Sequence, residues 1–375
     1  MNLLPVTIVS GFTGAGKTAV LQHLQANLPE MRFGVIADDT DRDALLKTVT
    51  ELSASGRFDY LLIEATGISE PMQLSEIFSC SDGAGNELCD FAKVDTMVTV
   101  VDAERFLDDF QSVEEVRDRG IGCDDKDDRD IARVLIDQIE FANVILLNKT
   151  DLVSVEDSEQ LLAVLKKLNP DARVLPIEHG KVPVEDIVNT GRYQLEWAHG
   201  SDAWETRLTG DEISESDAWG ICSFVYRARR PFHPQRFWDF WMDGEHAPNI
   251  LRSKGYFWLA TKNAMSGFWS HAGQVLAAEP GGVWWAETPR AEWPEDDPEL
   301  LAELKSVWDD VWGDRRQELM IIGQDLDTAA AKNALDACLL TDREMQSGIQ
   351  SWTKLSDPFG AWEEAHDCDG SHSHG

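Results

Sequence analysis

Basic residues are scarce. Only 33 lysines and arginines stand against 68 aspartates and glutamates, a formal charge of −35 over 375 residues. The average surface therefore repels nucleic acid and anionic headgroups, and neither is expected as a partner. Long hydrophobic runs are missing too: nothing approaches the ~20 apolar residues of a membrane span. The opening MNLLPVTIVSGF has no basic n-region and runs straight into a glycine-rich motif, so it does not read as a signal peptide. Cysteine is sparse, with Cys80, Cys89, Cys123, Cys222, Cys338 and Cys368 scattered and no CxxC pair. That fits reduced thiols in a cytoplasm rather than a disulfide framework.

What is present points to a folded two-domain protein. The length exceeds a usual single domain, hydrophobic residues make up 43%, and 14 tryptophans imply extensive aromatic packing. Up to about residue 198, short β-rich runs (VTIVSGF, FGVIAD, DYLLIEAT, DTMVTVVDA, NVILLNKTD, RVLPI) alternate with helical stretches such as KTAVLQHLQANL and DIARVLIDQIEFA. That alternation predicts an α/β fold with a doubly wound, mainly parallel sheet. A polar, acidic stretch at 199–217 reads as a linker. Over 218–362 the pattern predicts a smaller α+β domain, with strands at ICSFVYRARRP, GYFWLATK, GFWSHAGQV, GGVWWAET and QELMIIGQ and helices between them. Residues 363–375 form a polar tail without periodicity.

GFTGAGKT, residues 11–18, lies between a predicted strand and a predicted helix, the context a P-loop requires. Gly11, Gly14 and Gly16 let successive backbone N–H groups, those of Ala15 and Ala19 among them, face a phosphate. Lys17 supplies a charge and Thr18 a hydroxyl for Mg²⁺. DYLLIEATG ends an apolar strand in Glu64, either a carboxylate for the Mg²⁺ shell and the attacking water or an ordinary strand-edge acid. NKTD, residues 148–151, closes a later strand. Asp151 can accept the two hydrogen bonds that guanine offers and adenine does not, with Asn148 and Lys149 buttressing base and P-loop. Such a site discriminates about 10⁴ to 10⁵-fold, because the wrong base leaves a buried polar group unpaired. The expected ligand is GTP.

With FDYLLIEATGISEP, VDTMVTVVDAERF, LIDQIEFANVILLNKTDL, SFVYRARRPFHPQRF, GDRRQELMIIG and SDPFGAW, the chain resembles the CobW-type GTPases, a metal-chaperone family that includes nitrile hydratase activators. The resemblance covers nearly the whole chain. It implies a P-loop NTPase fold, slow GTP hydrolysis with Mg²⁺, and transfer of a divalent metal, often Zn²⁺, to a client metalloprotein. It also implies a GCxCC metal cluster between the second and third strands. Here that cluster is absent: no cysteine occurs from Met1 to Ser79, and FGVIADD passes almost directly into the helix before DYLLIE. Asp39 falls where the family places an acidic metal-binding residue. It stands as a metal ligand, a member of the Mg²⁺ shell or a solvated loop carboxylate.

Other candidates are open in the same way. His366, Cys368, His372 and His374 make the tail either a metal-collecting arm or a polar terminus without fixed geometry. Cys80, Cys89 and Cys123 read as unpaired loop thiols rather than a shared site. His233, before Pro234, reads as a helix cap, and the tryptophans of FWDFW and VWW as core. Two functions follow: a metallochaperone GTPase, or a GTP-regulated adaptor that docks on a client without carrying metal.

Overall fold

The computed structural model describes residues 3–38, 42–79, 91–121, 127–193, 219–294 and 297–362. The stretch expected as a linker, the tail with its histidines, and Cys80, Cys89 and Cys123 lie outside them. The chain divides into two compact units.

The first unit runs β1 (Leu4–Ser10), α1 (Lys17–Asn27), β2 (Phe33–Asp38), α2 (Arg42–Ala54), β3 (Tyr60–Ala65), α3 (Pro71–Glu76), β4 (Ala92–Asp102), α4 (Phe106–Phe110), α5 (Ile131–Glu140), β5 (Val144–Asn148), α6 (Val155–Leu168) and β6 (Arg173–Pro176). Its six strands form one sheet in the order β2-β3-β1-β4-β5-β6, and every neighbouring pair is parallel. Helices cover both faces. Val6, Ile8, Leu61 and Ile63 pack with Leu45 and Val49 of α2, while Val9, Leu62, Val98 and Val100 pack with Val20 and Leu24 of α1. Burial on both faces is why these strands are unbroken apolar runs instead of alternating ones. β1 sits where the chain order runs to β3 and β2 on one side and to β4, β5 and β6 on the other. This is the switch point at which doubly wound sheets bind ligands beyond their strand ends.

The second unit comprises β7 (Ile221–Ala228), α7 (Pro234–Met242), β8 (Ile250–Phe257), β9 (Met265–Ala272), β10 (Val275–Val283), α8 (Pro298–Ser306), β11 (Gln317–Gln324), α9 (Thr328–Cys338) and two short helices, α10 (Asp342–Ser347) and α11 (Ile349–Trp352). Its sheet order is β10-β9-β8-β11-β7, with β8 and β11 antiparallel. Phe237 and Trp241 of α7 and Leu335 of α9 join Phe224, Phe257 and Trp269 of the sheet in one buried cluster. Phe232 and Phe237 stack at 4.3 Å between ring centroids. The tryptophan-rich segments thus supply core, as their composition implies. Pro234 opens α7, and the His233 ring accepts from the Arg236 backbone N–H at 3.5 Å. The expected cap is present.

Two strand expectations need correction. β8 ends at Phe257 instead of running through LATK, because the Gln317 Oε1 captures the Trp258 N–H at 2.9 Å and the chain turns. β10 ends at Val283 and does not continue through WWAET, because the Asp314 carboxylate accepts from the Trp285 and Ala286 N–H groups, each at 2.9 Å. Aromatic β-propensity is overridden there by distant side chains that satisfy the backbone.

Candidate nucleotide site

β1 delivers the chain into the glycine loop, and α1 begins at Lys17. Gly16, the residue before the helix, has φ 106° in the left-handed region, and a Cβ there would lie 2.3 Å from the Asn148 amide nitrogen. Only glycine meets both demands. A side chain at Gly11 would collide with the Val100 carbonyl of β4, whereas space around Gly14 is open. The loop therefore packs against the sheet at its start and leaves room above its middle.

Lys17 is buried, and its Nζ donates to the Gly11 carbonyl at 2.7 Å and the Phe12 carbonyl at 3.2 Å. Burial lowers its pKa from 10.5 to about 8, with the Glu64 charge opposing that shift. Thr18 Oγ1 donates to Glu64 Oε1 at 2.5 Å, joining the first turn of α1 to the end of β3. A hydroxyl and a carboxylate are the hard oxygen donors Mg²⁺ prefers, so the residues present fit that ion. β2 ends at Asp38, in register with Ala65 beside Glu64. Asp39 lies outside the described residues.

The NKTD segment divides its work. Asn148, 2% exposed, donates through Nδ2 to the Ala15 carbonyl at 2.9 Å, and its Oδ1 accepts from Gly180 N–H at 3.1 Å. It ties the P-loop to the loop after β6. Lys149, with φ 64°, is salt-bridged to Asp102 at 2.6 Å. Asp151 lies beyond it with an accessible carboxylate, 3.8 Å from the His179 Nε2. The chain at Gly180 passes close over α1, where a Cβ would come within 2.9 Å of the Ala19 side chain and 2.8 Å of the Val20 nitrogen. Gly11 to Ala19, Glu64 and Asn148 to Asp151 thus converge at the strand ends around β1.

Sequence reasoning did not identify Asp102, the partner of Lys149, nor the EHG turn that carries His179 and Gly180. Asp102 has no local motif. The glycine after RVLPIEH was the available signal for a tight turn beside a strand end. Gly67 lies against the P-loop, where a Cβ would meet Thr13 Oγ1 at 2.1 Å and the Thr13 nitrogen at 2.7 Å.

Among the described residues, no group of three or more histidine, cysteine, aspartate or glutamate side chains is placed to hold a metal ion. None of the described helices is long and apolar enough to cross a membrane.

The sequence matches the family described as "CobW/HypB/UreG, nucleotide-binding domain" over residues 5–43 and 39–176. It matches the "Cobalamin synthesis protein cobW C-terminal domain" over residues 221–339. The two parts of the first match overlap at residues 39–43, at the end of β2 and the start of α2. The chain is 36% identical to the "Zinc-regulated GTPase metalloprotein activator 1" of Dictyostelium discoideum, over 96% of this chain and 85% of that one. That alignment runs over 405 residues, longer than this chain. A "Zinc chaperone" of Mycobacterium tuberculosis is 30% identical, over 72% of this chain and 63% of its own length. The solved Zn(II)-bound YjiA GTPase from E. coli is similar at 20% identity and a TM-score of 0.39, covering 91% of this chain and 100% of that one. The chain belongs to the CobW/HypB/UreG family of P-loop GTPases.

Proposed function

We propose that this protein binds GTP with Mg²⁺, hydrolyses it slowly, and uses that cycle to deliver a divalent metal to a client metalloprotein or to activate one. The observation that carries the reading is the convergence of Lys17, Thr18, Glu64, Asn148 and Asp151 at one end of the sheet. The backbone N–H groups from Gly14 to Ala19 hold the phosphates with help from Lys17, two of whose ammonium protons already brace the loop. Thr18 and Glu64 hold Mg²⁺, which supplies charge neutralisation at the phosphates when bound. Asp151 reads guanine, Asn148 fixes the P-loop beneath it, and the Asp102 carboxylate steadies Lys149. Hydrolysis is slow because no arginine or glutamine is assigned to the transition state or the attacking water.

Similarity to a zinc-regulated activator and a zinc chaperone favours zinc as cargo. A second reading, a GTP-regulated adaptor that docks on its client without metal, draws on a specific observation. The first 79 residues contain no cysteine, and no ligand group occurs among the described residues. The division into a GTPase domain (1–198), linker (199–217), C-terminal domain (218–362) and tail belongs to this proposal. So does a cytoplasmic setting, where the buried thiols of Cys222 and Cys338 stay reduced.

Equilibrium dialysis of the full chain against Zn²⁺ or Co²⁺, with and without GTP and with residues 366–375 deleted, separates the two. Stoichiometric, tail-dependent metal supports delivery. No binding at micromolar ion supports the adaptor.

A further inference from the structure

The second unit carries a cavity of about 220 Å³ that the nucleotide site does not use. Tyr256 of β8 lines it. Phe257, the next residue, packs in the buried cluster with α7 and α9, so Tyr256 and the cavity lie on the other face of the sheet. α8 supplies the opposing wall with Leu300 and Glu303, and Trp285 closes one side just after the chain leaves β10. Two of the apolar lining residues remain partly in water: Val283 is 47% exposed and Leu300 37%. The cavity is therefore open to a partner.

Size and charge narrow the occupant. Pockets for whole ligands and cofactors run to about 300–1,000 Å³, so this volume suits one long side chain instead. Three charged residues line it, and two are already engaged. Arg316 donates to Glu318 at 2.5 Å and to the Asp314 carbonyl at 3.2 Å, and the Asp314 carboxylate accepts from the Trp285 and Ala286 N–H groups. Glu303 is exposed, and its carboxylate has no partner among the described residues. Apolar and aromatic walls with one open carboxylate match a lysine or arginine, whose stem buries on apolar surface while its charged head reaches an acid. The Trp285 ring adds a face on which a cation is favoured. This chain is a poor source of that side chain. Its tail, residues 363–375, carries four acidic residues and no lysine or arginine, and a second copy brings a like charge of −35.

We propose that this cavity is a docking point for the client protein: it takes one lysine or arginine side chain from an exposed segment of the client, with Glu303 as the counter-charge. The proposal rests on the client reading above for the identity of the partner and is independent of the nucleotide site.

The test uses the full chain and a short blocked peptide of valine and threonine around one central lysine, carrying an uncharged dye and followed by fluorescence anisotropy. Copies of the peptide replace the lysine with norleucine, which keeps the stem without the charge, or with glutamate. In wild type the lysine peptide should bind about fivefold more tightly than the norleucine peptide, the scale of one partly exposed ion pair, and the glutamate peptide should bind most weakly. Glu303→Gln should bring the lysine and norleucine peptides level, and Glu303→Lys should turn the preference to glutamate. Glu303 is exposed, so both variants keep the fold, and both should bind GTP as wild type does. No binding of the lysine peptide at millimolar concentration, equal affinity for lysine and norleucine in wild type, or a preference for lysine that survives in Glu303→Lys would overturn the inference. The peptide titrations are separate from the GTP titrations and the metal dialysis, so a failure of the nucleotide or metal reading shows there and a failure of the docking point shows here.

Discussion

Two buried glutamines, one in each unit, are satisfied to different degrees. Gln317 of β11 is completely buried and satisfied: its Oε1 accepts from Trp258 N–H, and its Nε2 donates to the Arg230 and Trp258 carbonyls, each at 2.9 Å. It closes a turn. Gln138 is as deeply buried, yet half of its amide lacks a described partner, and the other half holds a loop beside the P-loop. A network satisfied at every atom rigidifies its surroundings, whereas an unpaired buried acceptor costs stability. Gln317 fixes a turn at the end of β8, and Gln138 holds the loop after β3 beside the P-loop.

That contrast breaks most sharply on the aromatic core. Phe237→Ala removes a ring that stacks on Phe232 and meets Trp269 edge-on at 5.3 Å. It should cost about 3–5 kcal/mol of stability. Differential scanning calorimetry should show that loss in the second unit, with GTP affinity unchanged by isothermal titration.

Lys17→Ala reverses the pattern. GTP affinity should fall about a hundredfold, the scale of a charged hydrogen bond to phosphate, while unfolding of the second unit is unaltered. An equal loss of affinity in Phe237→Ala and Lys17→Ala would end the assignment of nucleotide binding to the first unit alone.

A smaller effect is expected from pH. Burial holds Lys17 near pKa 8, and a bound phosphate favours its charged form. The pKa is thus higher in the complex than in the free protein. Lys17's contribution to affinity is fully present well below pH 8 and is lost as pH rises through it, by about fivefold from pH 8 to pH 9. Titration of a fluorescent GTP analogue across that range checks this, and Lys17→Ala should abolish the slope.

Much of the first unit was legible because its chemistry is local. VILLN and YLLIEA are continuous apolar runs bounded by polar turns, and GFTGAGKT and NKTD are contiguous motifs at strand ends. Asp102, Gly180 and Gln138 were not recognised, since each acts on a residue distant in sequence: Lys149, Asn148 and Gly67. The second unit was legible in kind but less so in its boundaries. Trp258 and Trp284 favour strand by type, and Gln317 and Asp314 end β8 and β10 from far along the chain.

The most direct test of the account is nucleotide choice at Asp151. Calorimetric titration of GTP and ATP against wild type and Asp151→Asn should give strong preference for GTP in the first and most of that preference lost in the second. Equal affinity for the two nucleotides in wild type, or an undiminished preference in Asp151→Asn, would contradict it.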